Sequence, residues 1–114
     1  MVKITETDTP GIFNIELTRG DSLFLTVSFK NKDGSAYIPE AGDSVRFALK
    51  KKYTDAECLV FKQIPTETMV LELEPSDTKN LQFSSYDFDI ELTDYLGHVS
   101  TPILGTLKLT KEVH

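Results

Sequence analysis

The sequence predicts an all-β fold in which about seven short strands form two packed antiparallel sheets. Apolar residues recur at every second position over most of the 114-residue chain, which is typical of strands with one buried and one exposed face. Turn-forming residues interrupt this alternation at regular intervals. No long stretch has the apolar spacing of three and four that an amphipathic helix needs. We therefore expect one domain, spanning 1–114, without a substantial helix.

The first half of the chain predicts three strands. Apolar residues alternate over 13–17 and again over 23–29, and Arg19-Gly20-Asp21 between them favours a tight turn. These two strands are therefore expected to form a hairpin. The polar stretch 35–43 predicts a loop that crosses from one sheet to the other, and the alternation resumes in a third strand over 45–49.

Two short strands and a turn of helix follow. The strands are predicted over 59–64 and 69–73, and the composition of 74–81 suits one helical turn between the sheets. Ser76 is the expected N-cap of this turn, because its hydroxyl accepts a hydrogen bond from a free backbone N–H. Asp77 would then lie near the positive end of the helix dipole, where a carboxylate is stabilising.

The clearest strand is 86–92, where apolar and acidic residues alternate without interruption, and a last strand is expected over 99–111. Tyr86 lies two positions before Phe88 and follows the helical turn. This is the spacing of the tyrosine corner in immunoglobulin-like sandwiches, in which the phenol bonds back to the preceding corner. Tyr86 is either such a corner or an ordinary core aromatic. The corner favours an immunoglobulin-like antiparallel β-sandwich as the fold class.

Charge and cysteine content narrow the classes of function. The 12 Lys and Arg against 18 Asp and Glu give a net charge of −6, so we expect no nucleic-acid partner and no docking on an anionic membrane. Cys58 is the single cysteine, which excludes an intrachain disulfide. Because it begins an apolar run, we expect it to pack as a small hydrophobe. Residues 1–9 lack the apolar segment of a secretory signal, so synthesis and retention in the cytoplasm are expected.

The densest group of carboxylates is Asp87, Asp89 and Glu91 on one face of the predicted strand 86–92. Residues two apart on a strand are separated by nearly 7 Å. Three carboxylates in a line therefore need ligands from elsewhere to close around a hard cation. We interpret them instead as a charge ladder that pairs across strands. The expected basic partners are Arg46, Lys50 and Lys108.

No residue set in the sequence predicts catalysis, a cofactor or a metal ion. His98 follows a turn glycine and His114 is the last residue, and neither has Cys or His at metal-ligand spacing. No nucleophile motif surrounds any serine, and the glycines are too scattered to form a phosphate-binding loop. Arg19-Gly20-Asp21 spells a tripeptide that some cell-surface receptors bind, but nothing in the sequence supports the extracellular setting that such binding needs, and we interpret the tripeptide as turn chemistry. The chain is predicted not to be an enzyme.

Several aromatic residues have no evident place in the core. Phe24 falls on the opposite face of its strand from Leu23, and the predicted loops contain Tyr37, Tyr53 and Tyr95. Surface Tyr and Phe are enriched at protein interfaces, and they also stack on sugars. We interpret Phe24 as part of an interface or of a second packing layer. The loop tyrosines leave a carbohydrate-binding module open as an alternative.

Four segments together carry a resemblance to a known family. They are LTRGDSLF at 17–24, DSVRFAL at 43–49, FSSYDFDI at 83–90 and TPILGTLKLT at 101–110. This set resembles the small immunoglobulin-like domain at the N-terminus of upper baseplate proteins in tailed phages of Gram-positive bacteria. The likeness extends from about Phe13 to Val113.

The resemblance implies a non-enzymatic structural module of a phage or prophage tail or baseplate. Its implied partners are other tail or baseplate proteins, or further copies of the same chain. The implied location is the virion tail, after synthesis in the bacterial cytoplasm. The resemblance implies no catalytic residues and no cofactor, so no site residues follow from it.

Overall fold

A computed structural model describes residues 2–31 and 33–111 of the chain; His114 lies outside this range. The described part forms eight strands and one turn of helix. In chain order these are β1 (Val2–Glu6), β2 (Ile12–Thr18), β3 (Leu23–Thr26), β4 (Ser44–Lys50), β5 (Val60–Ile64), β6 (Val70–Leu73), α1 (Pro75–Thr78), β7 (Ser85–Thr93) and β8 (Val99–Thr110).

The strands form a six-stranded mixed sheet and a two-stranded sheet. The larger sheet has the order β1-β2-β8-β7-β4-β5, and the smaller pairs β3 with β6. Strands β2 and β8 are parallel, and every other pair is antiparallel. The prediction of a β-rich fold is confirmed. Two details differ from the expectation: the large sheet is not purely antiparallel, and the unpredicted β1 extends its edge.

The predicted hairpin between 13–17 and 23–29 is wrong. Strand β2 pairs with β1 and β8, whereas β3 belongs to the other sheet and pairs with β6. Leu17 and Leu23 are both fully buried and belong to one core cluster. The turn between them, closed by a hydrogen bond of 3.0 Å from the Asp21 N–H to the Thr18 carbonyl, therefore moves the chain from one sheet to the other.

The two sheets bury a common apolar core. Its largest fully buried side chains include Phe47 and Phe88, whose ring centroids are 5.8 Å apart. Leu71 and Leu73 of β6 contribute to this cluster from the smaller sheet. Fully burying one such side chain stabilises a fold by roughly 1.5–3 kcal/mol. The buried positions of β7 alternate with half-exposed ones along the strand, as the sequence predicted.

The segment that leads from β6 through α1 to β7 confirms one prediction and corrects another. The Tyr86 hydroxyl donates a 2.7 Å hydrogen bond to the Gln82 carbonyl, which confirms the predicted bond back to the preceding corner. Ser76 does not cap α1. The N-cap is Glu74, whose backbone N–H donates to Asp77 Oδ2 at 2.7 Å while its side chain accepts from the backbone of Asp77. Such a reciprocal capping box satisfies two free N–H groups.

The large sheet has two distinct ends, which we call the tip and the base. At the tip, β7 ends and β8 begins, with Thr93 paired to Val99. At the base, Val2 pairs with Leu17, and Thr110 pairs with Thr18 on the other side of β2. Both the first and the last strand of the described chain thus reach the base.

Candidate interaction surface

The predicted ladder of carboxylates on β7 is formed at one position. Arg46 and Glu91 face each other across β4 and β7 and make two hydrogen bonds, of 3.1 and 2.6 Å. Lys50 stands opposite Asp87, but that carboxylate accepts the Tyr53 backbone N–H at 3.1 Å instead. The remaining predicted partner, Lys108, is exposed on β8 opposite Ser85.

Asp89 has a different environment from its neighbours on β7. Its cross-strand partners are Ala48 and Leu104, which offer no polar side chain. The Oδ1 atom is shielded from solvent and accepts no hydrogen bond from the described residues. A buried acceptor without a partner costs about 1–3 kcal/mol. Asp89 therefore weakens the fold rather than setting its register.

Within the described residues, no three His, Cys, Asp or Glu side chains cluster as ligands for a metal ion; that the chain binds no metal stays a prediction. His98 is 77% exposed, and its Nδ1 lies 3.2 Å from Asp94 Oδ2.

The prediction that Cys58 packs as a small hydrophobe is wrong, because the side chain is exposed. The apolar run turns inward only at Val60, where β5 begins.

The three loop tyrosines do not share one surface. Tyr53 crosses the base end of the large sheet, where its hydroxyl lies 3.0 Å from the Phe88 carbonyl and accepts the Gly105 N–H at 3.1 Å. Burial raises the pKa of this phenol. Tyr37 and Tyr95 are instead joined through Asp43, next to the tip end of β4. A single stacking platform made of all three tyrosines is therefore excluded.

Asp43 organises the loops at the tip. Its Oδ2 accepts hydrogen bonds from the Tyr37 hydroxyl and, at 2.9 Å, from the Glu40 N–H. Its Oδ1 accepts the Tyr95 N–H at 3.0 Å. The bond to Asp43 raises the pKa of the Tyr37 phenol to about 12 and holds the pKa of the Asp43 carboxyl below its usual value. One carboxylate therefore ties the loop 37–43 to the turn 94–98.

Asp94 fixes the shape of the turn that carries Tyr95. Its Oδ1 accepts the backbone N–H of Leu96 at 2.9 Å and that of His98 at 2.8 Å. The Asp94 N–H in turn donates to the His98 carbonyl at 2.9 Å. Asp side chains commonly bond in this way to the backbone two residues on. The two residues at the apex of the turn are thus held in a defined conformation.

Four large apolar side chains are exposed at the tip, and we call them the tip patch. They are Ile38 (78% exposed), Tyr95 (57%), Leu96 (64%) and Val99 (61%). The carboxylates of Asp43 and Asp94 hold this region together, and with Glu40 in the same loop they make the surroundings of the patch acidic. Exposed apolar groups that cluster in this way, surrounded by polar ones, mark interaction sites in soluble proteins.

Sequence reasoning found part of this surface. It singled out Tyr95, but it did not single out Ile38, Leu96 or Val99. A signal was present, because Tyr95 and Leu96 occupy the apex of a turn, where Asn, Asp, Gly and Ser predominate. Phe24 lies on β3 with its side chain 64% exposed, so no second packing layer covers it within the described residues, and its place in an interface stays a prediction.

A scan against protein-family models matches none of them, and a search of curated proteins finds no significantly similar sequence. Within the described residues, no helix has the length and apolar character needed to cross a membrane.

Proposed function

We propose that the chain is a non-enzymatic structural module of a phage or prophage tail or baseplate, and that it holds other tail proteins through protein–protein contacts. The observation that carries the proposal is the tip patch, four large apolar side chains exposed on the loop 37–43, on the turn 94–98 and at the start of β8. The motifs at 17–24, 43–49, 83–90 and 101–110 support the phage assignment, because they resemble upper baseplate domains.

The proposal includes an immunoglobulin-like arrangement of the two sheets. The tyrosine-corner bond from Tyr86 to the Gln82 carbonyl supports it. So does the crossing of the chain between sheets at 19–22 and at 35–43. The two-stranded sheet is smaller than its six-stranded partner and leaves part of that sheet uncovered.

Protein partners suit the tip patch on energetic grounds. An exposed apolar surface gains about 25 cal/mol for each Å² that a partner removes from water. Tyr95 adds a phenol that is able to hydrogen-bond at a wet rim. Because Asp43 and Asp94 already order the turns, little conformational entropy remains to be lost on binding.

The test is co-expression with the tail proteins encoded beside the gene, followed by co-purification and sedimentation analysis. Leu96→Asp should abolish a stable complex, because it replaces an exposed apolar side chain of the tip patch with a charged one. Leu59→Asp is the matched control: Leu59 is also exposed, at 43%, but it lies near the base. A wild-type chain that stays monomeric and binds none of these proteins would contradict the proposal.

A carbohydrate-binding module is the second candidate, and the exposed ring of Tyr95 is the observation that favours it. Aromatic rings stack on the apolar faces of sugars, but the separation of Tyr53 from the other two tyrosines limits the platform. Binding of the wild-type chain to a glycan array, lost in Tyr95→Ala, would replace the assembly proposal with this one. Assembly requires no such binding.

A further inference from the structure

Along β3 the smaller sheet has a free edge, because among the described strands β3 pairs only with β6. The Val27 N–H donates to the Met69 carbonyl at 2.7 Å. Because backbone groups point alternately to the two sides of a strand, Leu23, Leu25 and Val27 direct theirs toward β6. The N–H and C=O groups of Phe24 and Thr26 therefore point away from β6, toward the free edge. Both residues are exposed.

This free edge borders an apolar groove. The two-stranded sheet covers only part of the six-stranded one, and the uncovered inner face of β1, β2 and β8 forms the floor. Two adjoining cavities, of about 240 and 510 Å³, share Phe13, Ser28 and Ile103 in their walls. Together they follow the chain from Leu25 to Lys30. At about 3.3 Å per residue, this segment matches a strand of five or six residues.

The chemistry of the groove defines what fits it. The cavity nearer β3 is lined by apolar residues together with Thr26 and Ser28. Among the described side chains, those that line the two cavities and carry a charge are Glu6 and Lys30, which have opposite signs. The free energy of binding would therefore come from apolar side chains on one face of the occupant and from its backbone hydrogen bonds to β3. Net charge on the occupant would contribute little.

We propose that this groove accepts an extended segment of a partner protein, which adds a third strand to the smaller sheet beside β3. The segment is uncharged, about six residues long, and apolar at every second position. Its backbone bonds to Phe24 and Thr26, and its apolar side chains cover the partly buried Phe13 and Ile103. The inference rests on the proposed assembly function and names the form that its partner takes.

A second copy of the chain is a poorer occupant. Each described strand is already paired within the fold. A copy that donated a strand would first have to break those hydrogen bonds and expose its own core. A segment that is unpaired in its own protein loses only conformational entropy when it becomes ordered. In strand addition, backbone hydrogen bonds and the burial of alternate side chains commonly offset this loss.

The experiment adds such a strand to the full chain. Six residues alternating threonine and valine are fused after His114 through a flexible Gly/Ser linker of about 25 residues, which gives an effective concentration near millimolar. Amide hydrogen exchange is then measured by NMR. We expect exchange at Phe24 and Thr26 to slow by about tenfold or more. A fusion with the same composition, but with the three valines consecutive, is the control and should protect these amides less.

Two substitutions locate the binding within the groove. Thr26→Pro removes the N–H from the free edge, where proline is tolerated, and should abolish the protection at Phe24, whereas Thr26→Val keeps the N–H and should preserve it. Ile103→Glu puts a carboxylate under the added strand and should also abolish the effect. This second variant keeps the test valid if Thr26→Pro does not fold.

Unchanged exchange at Phe24 and Thr26, or protection that appears on β1 or β5 instead, would overturn the inference. A second copy as occupant would show as dimerisation of the unfused chain with the same two amides protected, and this too would overturn it. The proposed function fails separately, through the co-purification test with Leu96→Asp. Loss of the strand site alone would leave assembly through the tip patch intact.

Discussion

At the scale of single residues, Asp87 and Asp89 show how two neighbours on one strand face acquire opposite roles. Both lie on the outward face of β7, but only Asp87 accepts a hydrogen bond, from the Tyr53 N–H at 3.1 Å. Asp89 Oδ1 is shielded and has no partner among the described residues. The sequence gives both the same alternating context, so only the loop that folds over the sheet distinguishes them.

Asp89→Val should stabilise the fold by about 1–2 kcal/mol, because it removes an unpaired buried acceptor and introduces a residue that favours strands. Asp87→Val is the matched control and should destabilise by about 1 kcal/mol, since it leaves the Tyr53 N–H without its acceptor. Urea denaturation of the two variants measures both values. Equal effects of the two substitutions would show that the loop 51–59 does not contact β7 in this way.

The pair of Tyr37 and Asp43 predicts a stability loss at alkaline pH. The pKa of Tyr37 is raised to about 12 in the fold, whereas an unfolded tyrosine titrates near 10. The folded state thus keeps the phenol proton to a higher pH than the unfolded state does. The stabilisation by the bond between Tyr37 and Asp43 is therefore complete below about pH 10, and it is lost as the pH rises to about 12. Tyr37→Phe should lose this part of the pH dependence. Urea midpoints of both proteins, measured from about pH 9 upward, test this; parallel curves would contradict it.

At the scale of elements, the parallel contact between β2 and β8 imposes the tightest steric requirement. A Cβ atom at Gly105 would lie 1.8 Å from the Phe13 carbonyl oxygen, a distance that no relaxation of a flexible side chain relieves. The same glycine binds the Tyr53 hydroxyl through its N–H. Glycine is therefore needed at this position because two backbones and a phenol meet there.

Gly105→Ala should destabilise the protein by about 3 kcal/mol or more, because β2 and β8 must separate to make room. Gly34→Ala is the control: no atom lies within 4 Å of its added Cβ, so only the strain of its positive φ remains, about 1 kcal/mol. Thermal unfolding of both variants measures the difference. Similar losses for the two would mean that β2 and β8 are not in close contact at Gly105.

The sequence predicted the elements better than it predicted their pairing. Strands at 45–49, 59–64, 69–73 and 86–92 all occur, because each buries one face and so keeps a clear alternation. The predicted strand 23–29 ends as a strand at Thr26, although Val27 and Phe29 remain buried. Alternation reports which face is buried but not which sheet the strand joins, and this is why the hairpin prediction failed.

At the scale of the whole molecule, the strands differ in how much of the fold depends on them. Strand β8 lies between β2 and β7 and contributes Leu107 and Leu109 to the core. Strand β1 lies at the sheet edge, and its inward residue Ile4 is still 41% exposed. The integrity of the sheet therefore depends on β8 far more than on β1.

Deletion of 99–111 should leave the chain without cooperative unfolding, because it splits the large sheet between β2 and β7 and removes two leucines from the core. Deletion of 2–6 should keep a folded domain with a modest loss, of about 1–2 kcal/mol. Circular dichroism during thermal unfolding and the dispersion of NMR amide signals test both. A folded, cooperative product of the first deletion would contradict the observed strand order.

The candidate surface was only partly predictable, for a reason that concerns the whole molecule. Tyr95 and Phe24 were recognisable because aromatic residues in loops or on exposed strand faces are unusual. Ile38 and Leu96 were not, since an apolar residue in a loop is as readily covered as exposed. The groove beside β3 arises from the unequal sizes of the two sheets, a quantity that no local pattern encodes.

Val2 and Thr110 lie on either side of β2 at the base. Their positions determine how the domain is oriented when it is attached to a surface or to a larger protein. A tag or a neighbouring module joined next to either of these residues would attach at the base. Strand β8 is about 40 Å long for its 12 residues, and it would hold Tyr95 and Leu96 at the end of the sheet that lies farthest from the attachment point. Immobilisation through either terminus should therefore leave those side chains equally accessible to a soluble ligand.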